Sequence, residues 1–289
     1  MTQVTNPTTP ASSVPFGSGL NIKGIAGDNR LTGGTGADVI QTFAGNDVIA
    51  AGDGNDLILT GGGNDNVDGG AGNDIVAAGT GNDVLAGGGG EDLFFGGKGT
   101  DRVDGGDGND ILSGDQGNDT VSGGAGNDTI FGGTGNDIIS GVDGNDTLFG
   151  GQGNDTVDGG AGNDLISGDR GSDVLTGNAG SDTFYFASAG SDNSGKEPYG
   201  VDTITDFTPT EDKIRLKSGG AFAGLGSSFD STEFIVDAAF TGSPTANTTN
   251  KLVYNPTSGL LYFNSGSGVL TVAQLQPNLT ITSNNFELF

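Results

Sequence analysis

From Leu31 to Phe184 an apolar residue returns at every ninth position, through Ile40, Ile49, Ile58 and Val67 to Ile166 and Leu175. A period of nine fits neither an amphipathic helix nor an alternating strand; it marks an internal repeat. With that residue as place eight, residues 24–185 divide into 18 units without insertion or deletion. Place four is glycine in every unit, from Gly27 to Gly180. Place six is Asn29 in the first unit and aspartate in the other 17: Asp38, Asp47, Asp56, Asp65, Asp74, Asp83, Asp92, Asp101, Asp110, Asp119, Asp128, Asp137, Asp146, Asp155, Asp164, Asp173 and Asp182. The unit reads G-G-x-G-N-D-x-U-x, with U apolar. Places one to six predict a turn, because glycine takes positive φ and lets a ligand approach the backbone. Places seven to nine predict a short strand, with the eighth residue inward and its neighbours outward. Two units complete one coil. Nine coils then stack two parallel sheets into an all-β rod about 43 Å long, around one stripe of Val, Ile, Leu and Phe.

The outward residues of the two sheets differ. Odd-numbered units present Arg30, Asn66, Asp68, Arg102, Asp104, Thr120, Ser122, Thr156 and Asp158, a solvated face. Even-numbered units present Val39, Leu57, Leu59, Ile75, Leu93, Phe95, Ile111, Phe131, Phe149, Leu165 and Tyr185, an apolar stripe. Such a stripe predicts either a cover supplied by the C-terminal segment or a surface for self-association or a partner. Residues 60–113 and 114–167 also match over six units, a tandem duplication of 54 residues.

Three regions follow. Residues 1–23, rich in Thr, Pro and Ser, predict a flexible arm. Residues 24–185 form the rod, and residues 186–289 a small β-rich cap for its open end. Within the cap, "KLVYNPTSGLLYFN" predicts a hairpin of Leu252–Tyr254 and Leu260–Phe263. "VLTVAQL", Val269–Leu275, predicts a short helix. Asp202, Asp206 and Asp212 are candidates either for a further metal site or for plain solvation.

Composition shows what such a rod lacks. Hydrophobic residues are 32% of the chain, glycine contributes 59 residues, and the net charge is −27. That balance leaves a chain disordered unless something else supplies folding energy. The charge disfavours nucleic acid and anionic membrane as partners and favours cations. Stacked carboxylates about 5 Å apart repel by roughly 1–3 kcal/mol for effective dielectrics of about 80 to 20. A hard divalent cation between successive turns reverses that sign, and calcium takes six to eight oxygen ligands. There is no Cys and no His, which removes disulfides, thiolate nucleophiles, histidine zinc sites and the Ser-His-Asp triad. No apolar run is long enough for a transmembrane helix.

The nonapeptide array resembles the RTX, or hemolysin-type calcium-binding, repeats over 162 of the 289 residues. The resemblance implies a right-handed, calcium-loaded parallel β-roll of 18 turns. It implies metal ligation by the 17 aspartates named above, paired between turns n and n+2, together with carbonyls of the glycine-rich places. Two stacks of nine turns have eight gaps each, hence up to about 16 Ca²⁺, with the Asn29 gap the weakest. The resemblance further implies export to the extracellular space or cell surface by type I secretion. The missing N-terminal signal and the closing "SNNFELF" agree with that route, and a final cap strand is the other reading of the tail.

Many proteins with such repeats carry a catalytic domain ahead of them. Here 23 residues precede the array, with no H-E-x-x-H motif and no G-x-S-x-G on a strand–helix junction. The expectation is therefore no enzyme. One function is a structural, self-assembling surface or matrix component that sets with calcium, such as a surface layer, filament or biofilm. The alternative is a calcium-dependent adhesin or carbohydrate-binding module using Phe95, Phe131, Phe149 and Tyr185.

Overall fold

A computed structural model describes residues 19–186, 200–217, 225, 234–238, 240, 251–264 and 269–289, with the backbone of Thr2–Gln3. Successive units feed two sheets alternately, so each residue pairs in parallel with the residue 18 further on, as in Ile130↔Leu148 and Val121↔Ile139. In one sheet 11 strands run in unbroken parallel order from Asn21–Lys23 to Lys213–Leu216, which makes a β-solenoid of about 11 coils. Every apolar residue of place eight, from Leu31 to Phe184, is buried. The all-β parallel roll expected from the repeat is the observed fold.

The strands are longer than the repeat predicts. Thr147–Gln152 and its counterparts span six residues, places seven to nine and then one to three of the next unit. The turn shrinks to places four, five and six. A bend at place two allows this, where Gly151 has φ +104 and sits inside the strand. Alternation then carries a second residue inward. The burial pattern of Val48–Asp53 buries both Ile49 and Ala51. The interior therefore has two contributors per unit, place eight and place one. Val142 adopts the same bend with φ +84, a region that crowds a β-branched side chain.

The nine-residue register ends at Tyr185, but the ladders continue. Asp202–Ile204 pairs with Val174–Ala179, and Lys213–Leu216 pairs with Thr183–Phe186. At the other end Asn21–Lys23 pairs with Val39–Gln41 and buries Ile22, so the last residues of the expected arm belong to the sheet. Residues 4–18 of that arm lie outside the described residues.

The hairpin appears as Lys251–Tyr254 and Leu260–Asn264, antiparallel. Asn255 accepts the N–H groups of Thr257 and Ser258 in its turn, and Gly259 takes φ +78. The helix expected over Val269–Leu275 is instead a strand, Val269–Gln274. Its β-branched Val269, Thr271 and Val272 suit a strand. It has an antiparallel partner in Leu260–Asn264 and a parallel one in Asp202–Ile204. This strand joins the hairpin to the end of the solenoid. The tail Phe286–Leu288 adds a final parallel strand beside Lys213–Leu216, with an Arg215–Glu287 ion pair at 3.0 Å.

The described strands of the cap extend the sheets. Val39, Leu59, Ile75, Phe95, Ile111 and Phe131 are exposed, so the described residues of the C-terminal segment do not supply the expected cover at those positions. The other face is less uniformly polar than the side chains named above suggest, since Val84, Ile138 and Val174 are also exposed there. Among the described residues no helix is long and apolar enough to cross a membrane.

Candidate metal sites

Each G-N-D turn is stitched to both neighbouring coils. Glycine at place four takes positive φ, +132 at Gly135, and a methyl there would drive into the Gly117 carbonyl of the preceding coil. Asparagine at place five works forward: Asn118 Oδ1 accepts the N–H of Asn136, and Asn136 Oδ1 accepts that of Asn154, both at 2.7 Å. Aspartate at place six works backward. The Asp119 N–H donates to Asp137 Oδ1 at 2.8 Å, and the Asp137 N–H donates to Asp155 Oδ1 at 2.8 Å. This ladder runs along one edge from Leu20 N–H on Asp38 to Asp164 N–H on Asp182, and along the other from Asn29 N–H on Asp47 to Asp155 N–H on Asp173.

Only one carboxylate oxygen is used. The Oδ2 atoms of all 16 aspartates from Asp47 to Asp182 are buried and accept no hydrogen bond. Asp38 is the exception, because its Oδ2 accepts the Gly34 N–H at 3.0 Å. A buried unpaired carboxylate oxygen is expensive unless a cation or proton meets it. The two rows of such oxygens are therefore the strongest chemical feature of the molecule.

Place one is glycine in 12 of these 16 units, where the missing side chain lets Oδ2 and a carbonyl of the next coil come close to the backbone. A methyl built on Gly132 would lie 2.6 Å from Asp137 Oδ2 and 2.5 Å from the carbonyl of Gly150, one coil on. On Gly114 the corresponding distances are 2.6 Å to Asp119 Oδ2 and 2.8 Å to the Gly132 carbonyl. Both contacts are far inside van der Waals distance, so only a residue without Cβ lets Oδ2 and the next carbonyl approach the backbone this closely. No side chain of a well-packed core sits so near two oxygens. The close approach brings an unpartnered carboxylate oxygen and a carbonyl of the next coil together, the donor types that a hard cation takes. Among the described residues no three acidic side chains gather at one point, and backbone carbonyls can serve as calcium ligands beside carboxylates. The residues fit calcium.

Electrostatics agree. Burial, followed by the charges of neighbouring aspartates, pushes the carboxyls of Asp74, Asp119 and Asp155 up to about 7. Burial likewise raises Asp92, Asp128 and Asp164 to about 6. Hydrogen bonds from the preceding coil oppose this rise without cancelling it.

The cap continues both rows. Asp202 Oδ1 accepts the Asp173 N–H and Asp212 Oδ1 the Asp182 N–H, each at 3.0 Å. Asp212 Oδ2 is occupied by the Thr208 N–H, and Asp206 accepts the N–H groups of Gly177 and Asn178. Asp202 and Asp212 are thus buried ladder members rather than solvated groups. The asparagine ladder and the inward place one were not read from the sequence. The regularity of Asn in place five is the signal that points to the former.

Comparison with known proteins agrees with this geometry. The model of the RTX calcium-binding nonapeptide repeat matches in overlapping segments from 23–58 to 158–192. No curated protein sequence matches. Among solved structures, the AlgE6R3 subunit of the Azotobacter vinelandii mannuronan C5-epimerase is 25% identical, covering 56% of this chain and 78% of that one, with a TM-score of 0.20. Overlap at that score carries no argument about shape; the repeat itself does. The chain belongs to the RTX calcium-binding nonapeptide repeat family.

Proposed function

We propose that this protein is a structural component that folds on calcium outside the cell and then associates through its apolar face. The place-six aspartates from Asp47 to Asp182 would hold the ions, each through its free Oδ2 and the place-one carbonyl of the next coil. The single observation that carries the calcium role is the pair of rows of buried, unpartnered Oδ2 atoms. Metal binding and folding are then one event, since the sites exist only when the coils are stacked. Type I export fits a chain that stays unfolded at low cytosolic calcium and folds on reaching a calcium-rich medium.

Self-association is supported by the exposed row Val39, Leu59, Ile75, Phe95, Ile111 and Phe131 along one sheet, because apolar patches of this continuity usually meet a partner. The glycan-binding alternative draws less support. Phe131 and Phe149 stack on each other at 5.4 Å, Ser113 separates Phe95 from Phe131, and Tyr185 rests against Phe289. The aromatic row is broken and partly self-occupied. Calcium titration from EDTA to millimolar concentration, followed by circular dichroism and light scattering, tests the reading. Disorder turning to β-structure with growing particles supports it. Folding at constant monomer size refutes the assembly half, and β-structure unchanged in EDTA refutes the calcium half.

A further inference from the structure

Place nine of the even-numbered units forms a column across the apolar sheet, one side chain per coil. Bulky Leu59, Phe95, Phe131, Phe149 and Tyr185 share it with three small residues, Ala77, Ser113 and Ser167. The parallel register sets Ala77 between Leu59 and Phe95, and Ser113 between Phe95 and Phe131. It sets Ser167 between Phe149 and Tyr185. Each small residue is a low place among taller neighbours. The Ser113 and Ser167 hydroxyls donate to Asp115 Oδ1 at 2.5 Å and Asp169 Oδ1 at 2.9 Å. Both serines are buried and satisfied by their own chain, so these low places can be covered without stranding a polar group.

We infer that the first assembled particle is a closed pair: a second copy of this chain lies face to face on the apolar sheet, rods antiparallel, about a two-fold axis that runs along the strand of Phe131. Such an axis keeps place nine over place nine, reverses the order of the coils and makes every off-axis contact occur twice. Phe131 meets its own counterpart. Ser113 receives Phe149 of the second copy, Phe95 seats on its Ser167, and Ala77 faces its Tyr185. All three low places are thus filled by bulky residues. Moving the axis half a strand spacing one way sets Ser113 against Ser167, and the other way sets Ala77 against Ser167, small on small. Place seven agrees with the same axis, since Leu93 meets Leu165, and Ile75 and Ile111 meet the methyl-bearing Thr183 and Thr147. At least seven strands of about 20 Å overlap at about 4.8 Å spacing, roughly 700 Å² per copy and 1,400 Å² in all. Stable pairs bury about 1,200–2,000 Å².

This inference rests on the association proposed above, and sedimentation of the calcium-loaded chain separates the two. The unaltered chain is expected to pair. Ser113→Phe adds apolar surface but fills a low place, and should weaken pairing by roughly tenfold or more in Kd. Phe149→Ser should weaken it similarly. Ser113→Phe/Phe149→Ser exchanges knob and hollow across the axis, and should return Kd to within about threefold of the unaltered chain. Tighter or unchanged pairing in Ser113→Phe overturns this register and leaves association through the apolar face intact. A monomer at all calcium and protein concentrations overturns the association itself. If a variant fails to fold, nitroxide labels on Thr80→Cys and Thr134→Cys report the same geometry from the rim of the face, in a chain with no other cysteine. Thr134 lies on the coil of the axis and Thr80 three coils away. The two Thr80 labels of a pair should stand about 30 Å apart, and the two Thr134 labels within about 15 Å. Equal separations at the two positions overturn the antiparallel pairing.

Discussion

Replacing Asp137 by Asn separates the two jobs of the place-six carboxylate. The amide oxygen still accepts the Asp119 N–H, now bonded to Asp137 Oδ1 at 2.8 Å. The amide nitrogen replaces the orphaned Oδ2 and faces the side of the cradle bounded by the Gly150 carbonyl. Without metal, the substitution removes repulsion from Asp119 and Asp155, roughly 1–3 kcal/mol each at one coil's spacing. A new hydrogen bond would contribute about 1 kcal/mol more. With metal, it deletes one charged ligand. The expected result is a change of sign: the metal-free fold gains about 3–7 kcal/mol at pH 8, while the calcium-loaded fold loses stability and one ion. Folding can be followed by circular dichroism in EDTA with added sulfate, which strengthens apolar burial, and again during calcium titration. Equal destabilisation in both conditions would refute the reasoning, because the carboxylate would then matter as a ladder acceptor and not as a charge.

Three further outcomes follow from the same geometry. Val142→Gly relieves a β-branched residue at φ +84 whose sheet neighbours are Gly124 and Gly160, so calcium-loaded stability in urea should rise by about 0.5–1 kcal/mol, the left-handed cost less the glycine entropy. In EDTA, carboxyls raised by burial to about 6–7 in the fold, against 3.8 otherwise, favour folding while protonated. β-structure should therefore grow as pH falls from 8 to 5 and disappear as pH rises through 6–7, and loss on acidification would oppose this. Phe184→Ala empties the fully buried junction where Phe184 meets Phe207 at 6.1 Å, and should cost about 3–5 kcal/mol in thermal unfolding with calcium present.

The fold was legible in the sequence because a nine-residue period leaves little freedom. Once Leu31, Ile40 and their successors must all point inward, 18 residues per coil and two parallel sheets follow. What was hidden depended on parity and on interruption. Place one is inward only because strands run through the glycine of place two, and glycine carries no burial signal of its own. The ladders past Tyr185 were hidden because the next aspartates on each edge come 29 and 30 residues on, at Asp202 and Asp212, instead of 18. The strand Val269–Gln274 owes its form to two partners distant in sequence, and a short apolar run does not name its partners.

The site was legible to the level of residue type, and its physics explains why charge is the controlling variable. Place-four glycine, the asparagine ladder and Asp Oδ1 define the coil without any metal. Each is satisfied by protein atoms alone, and the place-eight core is filled. What opposes the coil is the second oxygen of each aspartate, buried in rows one coil apart. Calcium, a proton or an amide in that position should all favour the same backbone, since each removes the same unpaired negative charge. They differ in reach. A proton or an amide quiets one oxygen, whereas in the proposed site a divalent ion would also take the carbonyl of the next coil and tie two coils together. Acid and Asp137→Asn should therefore restore β-structure without restoring the cooperativity of the calcium-loaded rod.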